Sequence, residues 1–169
     1  MQPLPVTPSR SEVARAHKAR GGLVAAVLPI HYPRALLRAF DIHPIEVWRP
    51  PGVDPTRGAA HLQSYVCSIV RNALSFLLAG GLEVADLLVI PHACDSLQGL
   101  GSLLIDFVCP RQPVLPLYLP RGHDATHVDF LAAELRSLYR RLEAITHRSP
   151  TNGELMQAVL QEEAADAHL

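Results

Sequence analysis

The amino-acid sequence predicts a doubly wound α/β fold, Rossmann- or flavodoxin-like, on a parallel sheet of about four strands. Short apolar runs recur at residues 23–30, 45–48, 87–90 and 114–119, as strands buried on both faces require. Stretches with apolar residues at helical spacing separate them. Pro and Gly stand at the joints between the two kinds of segment.

In order along the chain, residues 1–20 read as a loose polar leader with a helical piece over residues 11–20. Gly21-Gly22 releases the first strand, residues 23–30. His31-Tyr32-Pro33 ends it, and Pro33 suits the first position of a helix over residues 34–40. Asp41-Ile42-His43-Pro44 reads as a turn into a second strand, residues 45–48. A Pro/Gly-rich loop, residues 49–58, follows; loops of that length are commonly functional or mobile. From Ser64 a helix is predicted to about Ala79, its apolar stripe running through Val66, Ile69, Val70, Ala73, Leu74, Leu77 and Leu78, with Gly80-Gly81 as its stop. Strand three is residues 87–90, broken by Pro91, and its helix covers residues 96–108. Strand four lies between Pro113 and Pro120. A long helix over residues 125–145 precedes Thr151-Asn152-Gly153-Glu154, a capping box that opens a final helix to about Ala165.

The bulk properties exclude several classes of function. A length of 169 residues suits about one domain, and 49% apolar residues suffice for a core. A formal net charge of −1 gives no general attraction to nucleic acid or to an anionic membrane. Aromatic residues, at 5%, are too few for a base-stacking surface. Three cysteines, an odd number, do not form a disulfide framework. Residues 1–20 have no apolar signal core and residues 22–30 are too short to span a bilayer, so a soluble, cytoplasmic chain is expected. Gly21-Gly22 precedes the first strand, so the dinucleotide-binding fingerprint fails. Neither a nucleophile elbow nor a helical His-Glu zinc motif occurs.

Topology then selects the residues able to carry chemistry. Ligands of open α/β sheets sit outside the carboxyl ends of the strands. Cys94 follows strand three there, at a helix N-terminus, where the helix dipole favours the thiolate that binds soft metals or iron–sulfur clusters. Cys67 lies in the first predicted turn of the preceding helix, on the same edge, where it is either a ligand or one more core position. Cys109 ends the helix that Cys94 begins, roughly 20 Å away on the opposite edge, and reads as a small buried hydrophobe of structural role. His31, His61 and His92 also fall near the carboxyl edge and with the thiols make a Cys/His zinc site a second possibility. Asp95 either caps its helix or supports whatever Cys94 binds.

These residues carry a resemblance. Tyr32-Pro33 with Leu36 and Ala39, Ser64-Tyr65-Val66-Cys67-Ser68 with Arg71, and Leu78-Ala79-Gly80 are similar to segments of the 2-hydroxyacyl-CoA dehydratase family, which includes 2-hydroxyglutaryl-CoA dehydratase and benzoyl-CoA reductase subunits. Asp86-Leu87-Leu88-Val89-Ile90-Pro91-His92-Ala93-Cys94-Asp95 resembles that family's signature around a Cys-Asp pair. Residues 117–120, Leu142-Glu143 and the capping box extend the likeness over most of residues 22–165. The resemblance implies that Cys67 and Cys94 are two of three thiolate ligands of a [4Fe–4S] cluster. Asp95, His92, His31 and Ser64 would then lie beside it or toward the substrate. It further implies an ATP-dependent activator protein that injects one electron, an acyl-CoA substrate, and radical expulsion of hydroxide, with the cofactor carrying the chemistry.

The family pattern places the third cysteine in a second α/β domain. The expected organisation is therefore a leader (1–20), a cluster-binding-type α/β domain (21–149) and a C-terminal helix (150–169) leading toward that domain, as in a truncated or split subunit. Leu155, Met156, Val159 and Leu160 on the last helix are expected to form an uncovered apolar face. The alternative readings are a cluster-free α/β partner or assembly domain, and the zinc-binding domain.

Overall fold

The computed structural model describes residues 7–48, 50 and 52–168; the expectations for residues 1–6 of the leader, for Arg49 and Pro51 of the long loop and for Leu169 at the end of the C-terminal segment lie outside them. The strands are β1 (Leu23–Val27), β2 (Ile42–Glu46), β3 (Leu87–His92) and β4 (Val114–Tyr118), and they form one four-stranded parallel sheet in the order β2-β1-β3-β4. The helices are α1 (Arg10–Ala19), α2 (Arg34–Ala39), α3 (Thr56–Ala59), α4 (Ser68–Leu78), α5 (Asp95–Leu103), α6 (Ala125–Thr146) and α7 (Asn152–Asp166). The Rossmann/flavodoxin-like α/β prediction holds.

Alternation along the strands builds two cores. Val24, Ala26, Leu28, Leu88 and Ile90 meet Ala14 of α1, Val70 and Leu74 of α4, and Leu97 and Leu100 of α5 on one face. Ala25, Val27, Leu87, Val89, Leu115 and Leu117 meet Leu37 of α2 and Leu138 and Leu142 of α6 on the other. Helix α7 lies along α2, where Glu162, 9% exposed, is held by Arg34 Nε at 3.3 Å and by Arg38 Nε. Of the apolar face expected on α7, Met156, Val159 and Leu160 are exposed, at 59%, 40% and 57%, while Leu155 is half-buried. No helix among the described residues is long and apolar enough to cross a membrane.

Several boundaries differ from the sequence reading, each for a physical reason. Strand β2 includes Ile42, His43 and Pro44, expected as a turn, and ends at Glu46. It is an edge strand, where a missing N–H costs little. The turn is confined to Phe40 and Asp41, the latter with φ 59°. Strand β1 stops at Val27, and the chain then passes through left-handed Ile30 and His31. Pro91 does not break β3. Val89 O accepts from Leu28 N at 3.0 Å, so Pro91, two residues on, also faces the β1 side, where pairing has already ended at Val27. The Pro/Gly loop contains the short helix α3, docked so tightly on α4 that a Cβ at Gly58 would meet the Arg71 carbonyl oxygen.

The leader is not loose throughout. Ser9 and Glu12 make a capping box on α1, and Lys18 Nζ donates to Asp86 Oδ1 at 2.7 Å and to the Val84 carbonyl at 3.1 Å. The helix after β3 leaves α geometry early: residues Leu104–Val108 form a π-helical turn closed by Cys109 at φ 46°. Cys109 is consequently exposed, not buried as expected, because a left-handed closing residue sits outside the packed face. The Thr151–Glu154 capping box forms as read.

Packing and charge give two predictions for stability. Leu115 is 1% exposed in the core beneath α6, so Leu115→Ala is expected to cost about 2–5 kcal/mol in urea unfolding. A loss under about 1 kcal/mol would mean that this core collapses around the gap. His43 lies with its ring 5.6 Å from that of His17; burial first, then His17 and Arg38, hold its pKa below the ordinary imidazole value. The unfolded chain therefore takes up a proton below about pH 6.5 that the folded chain refuses, and stability falls with acid. The urea midpoint should drop between pH 7.5 and 5.5, and by less in His43→Leu; an equal drop in both would exclude this origin.

Candidate functional site

In the order β2-β1-β3-β4, chain direction across the sheet reverses between β1 and β3, which makes the crevice at their carboxyl ends the preferred ligand position. Four connections leave that edge: the one after β1, the one that leads into α4, the one from β3 to α5 and the one from β4 to α6.

The β3 connection is shortest. His92 ends the strand, Ala93 follows, and Cys94 is the N-cap of α5 in extended geometry, φ −153° and ψ 166°. Its carbonyl accepts from Gln98 N at 3.0 Å, while its side chain makes no capping bond and is exposed. Asp95 is the first helical residue and not the cap. Its carboxylate is 93% exposed and touches only Arg121 among the described residues, Nη2 to Oδ1 3.5 Å.

Cys67 sits in the same way at the head of α4. The expected helix start at Ser64 is overturned: residues 64–66 are turns, Val66 N donates to the Gln63 carbonyl at 3.1 Å, and helix begins at Ser68. Val66 packs against the core from the turn, which imitates a helical apolar position. Cys67 is thus the N-cap, φ −60° and ψ 153°, with its carbonyl accepting from Arg71 N and its thiol exposed and unbonded. Helices α4 and α5 are neighbours on the same sheet face, so the two thiols share one edge and one face. Ser64 is exposed in the turn before Cys67.

His92 points to that face beneath α5. Its ring lies edge-on to Tyr118 at 4.5 Å, and a Cβ at Gly101 would stand 2.7 Å from its Nε2. Neither ring nitrogen has a hydrogen-bond partner among the described residues, and burial lowers its pKa. His31 is exposed in the β1 connection, following Ile30 at φ 81°, a strained value for a β-branched residue. His61 is exposed in the turn region before α4. Among the described residues no three His, Cys, Asp or Glu side chains converge on a metal-sized position. The histidines and thiols proposed for zinc are therefore on one edge without forming a closed set.

Two features of this edge were not read from the sequence. Tyr32 Oη and Trp48 Nε1 donate to the two oxygens of Glu46 at 2.8 and 2.7 Å, clamping the β1 connection to the end of β2. The Trp48 bond chiefly holds the Glu46 carboxyl below its usual range, and burial chiefly pushes the Tyr32 phenol up. The second is a groove of about 550 Å³ between residues 61–66 and α5, walled by Tyr65 and Phe107, with Val66 and Asp95 at the cysteine end. Both aromatic side chains are 81% exposed. In a chain this poor in aromatics, two placed among Ser, Gln and Asp were the available signal. A larger hollow of about 680 Å³ at the β2 edge, lined by Trp48 and Phe76, is not lined by either cysteine or its neighbours.

Comparison with known proteins identifies the family to which the chain is similar. Residues 29–169 match the family model described as 2-hydroxyglutaryl-CoA dehydratase, D-component. The chain is 26% identical over 155 residues to (R)-2-hydroxyglutaryl-CoA dehydratase subunit beta of Acidaminococcus fermentans, covering 91% of this chain and 41% of that protein. It is 25% identical over 138 residues to a benzoyl-CoA reductase subunit of Thauera aromatica, covering 80% of this chain and 36% of that one. The chain therefore spans about two fifths of the length of the curated relatives it matches. With most of its length inside the family match, the chain belongs to the 2-hydroxyglutaryl-CoA dehydratase D-component family.

Proposed function

We propose that this chain is the thiolate-bearing α/β portion of a 2-hydroxyacyl-CoA dehydratase-like enzyme, a cytoplasmic system acting on a CoA thioester. The observation that carries this reading is the paired placement of Cys67 and Cys94. Each is the N-cap of one of two neighbouring helices, on the carboxyl edge, with an exposed sulfur free of any capping bond.

That donor set fits an iron–sulfur group. Thiolates are its usual protein ligands, and N–H groups of the first helical turns are the donors that sulfur-rich clusters accept from. Cys67 and Cys94 would hold two irons of a [4Fe–4S] cluster. Such a cluster supplies one-electron reduction of a bound thioester, the electron coming from an ATP-dependent activator protein. The chain's own contribution is positional. Cys94 is fixed by the β3 register and Cys67 by the docking of α4, and His92, packed between Tyr118 and Gly101, sets the floor below α5. Asp95, His31 and Ser64 are exposed around the pair and are the groups free to meet substrate or solvent. Two thiolates do not complete a cluster, so further ligation comes from outside this pair, on a second α/β domain or subunit. Both relatives are named as subunits, which supports a partner chain.

The test is anaerobic reconstitution with iron and sulfide, followed by iron analysis and a visible absorbance scan. The native chain and Cys109→Ser should bind iron alike, while Cys94→Ser and Cys67→Ser lose most of it. Equal retention in all three variants, or a native chain that takes up no iron, would overturn the reading.

A further inference from the structure

We infer that the groove between residues 61–66 and α5 holds the pantetheine arm of a CoA thioester, with its sulfur end toward Cys67 and Cys94. This rests on the CoA-thioester reading above and adds where the substrate lies and which residue admits it. The first argument is position. The groove is lined at one end by Val66 and Asp95, the immediate neighbours of Cys67 and Cys94, and runs along α5 to Phe107. A ligand lying in it therefore ends one residue short of each cysteine along the chain.

The second argument is chemistry. A volume of about 550 Å³ lies within the ordinary range of small-ligand sites. Pantetheine is a neutral chain of amides separated by methylenes, which asks for apolar walls interrupted by neutral hydrogen-bonding groups. Tyr65, Val66 and Phe107 supply the walls, and Gln63, Ser96 and Ser102 line the same space. No lysine or arginine is found among the described residues that line it, and its one carboxylate, Asp95, is next to Arg121. His61 and the Arg121 paired with Asp95 are the basic groups there, too few for the phosphates of CoA, so the nucleotide end of the cofactor projects beyond the groove. A charged peptide segment is disfavoured for the same reason.

The third argument is the floor. Gly99 lines the groove, and a Cβ built on it meets no atom within 4 Å, so the space above it is open. A larger residue there fills the groove without touching the core, and replacing a mid-helix glycine improves helix propensity. Gly99 is accordingly the position that controls entry. Gly153 on α7, where an added Cβ meets only Thr151 Oγ1 at 3.8 Å, provides a remote control.

The experiment uses pantethine, the disulfide of pantetheine, against cystamine, which shares its reacting end and lacks the arm. A cysteine thiolate attacks one sulfur of the probe. The probe's S–S bond breaks, a mixed disulfide forms on the protein, and the other half leaves as a thiolate, so no external oxidant is needed. Rates are followed by intact mass and assigned to each cysteine by peptide mapping. Binding in the groove raises the effective concentration of the probe, so the pantethine-to-cystamine rate ratio at Cys94 or Cys67 should exceed that at Cys109 about tenfold or more. Gly99→Leu should bring the ratio down to that of Cys109, and Gly153→Leu should leave both the ratio and the cystamine rate unchanged. Equal ratios at all three cysteines, or a preference that survives Gly99→Leu, would overturn the inference. Iron uptake measured on the same variants separates the two readings. Iron bound without a pantethine preference removes the groove alone. A Gly99-sensitive preference without iron supports the groove and removes the cluster.

Discussion

The carboxyl edge depends on the register between β1 and β3, and one side chain fixes that register at its other end. Asp86 N donates to the Val24 carbonyl at 2.8 Å, and Asp86 Oδ2 accepts from Val24 N at 2.9 Å. Its second oxygen takes the Lys18 ammonium at 2.7 Å. A carboxylate that bonds both a strand N–H and a helix cation at the first rung leaves no alternative pairing of equal energy, and a slip by one residue would exchange the two cores. From that rung, Ala25, Ala26 and Val27 pair with Leu87, Leu88 and Val89 in turn. The small residues of β1 let helices close over both faces. Cys94 then stands a fixed number of residues beyond the last rung, so its position follows from Asp86 at the far edge of the sheet.

The sequence made the architecture legible because its signals were local. Four apolar runs, the Thr151 capping box and Gly80 as a helix stop each specify an element without help from the rest of the chain. Errors arose where packing imitates or overrides such signals. Val66 looked helical because a turn can also bury an apolar side chain, and this moved Cys67 from a cap into a helix. Pro44 and Pro91 looked like strand breakers because their tolerance depends on which neighbour is missing, a tertiary fact. Cys109 looked buried because its helix was read as regular to its end, and a change to π geometry in the last turn leaves no mark in apolar spacing. The thiol pair itself was legible, through topology. The groove and the Tyr32–Glu46–Trp48 clamp were not, since each joins residues from separate connections.

The two edges of the sheet are built differently, and the difference bears on function. At the amino edge, polar contacts close the structure: Lys18 to Asp86, His17 to the Asp41 carbonyl, Arg141 to the Val114 carbonyl and Gln112 to the Leu82 carbonyl. Each ties a helix or loop to the beginning of a strand. At the carboxyl edge Glu46 closes the end of β2 through Tyr32 and Trp48, but the heads of α4 and α5 are left open. The N-caps of α4 and α5 are cysteines that do not cap, whereas Asp124 does cap α6 on the same edge; the ion pair of Asp95 with Arg121 is almost fully solvated, and Ile30 is held in a strained conformation. An exposed pair of that kind contributes little to stability. Replacing either cysteine by Ser or Asp would supply the capping bond its helix lacks, a gain of about 1 kcal/mol typical of good caps. Stability alone therefore favours a different residue at both positions. Two unspent N-caps, on adjacent helices and beside a groove, are what the proposed ligation by their sulfurs would explain, with the polar contacts of the amino edge holding both helices in place.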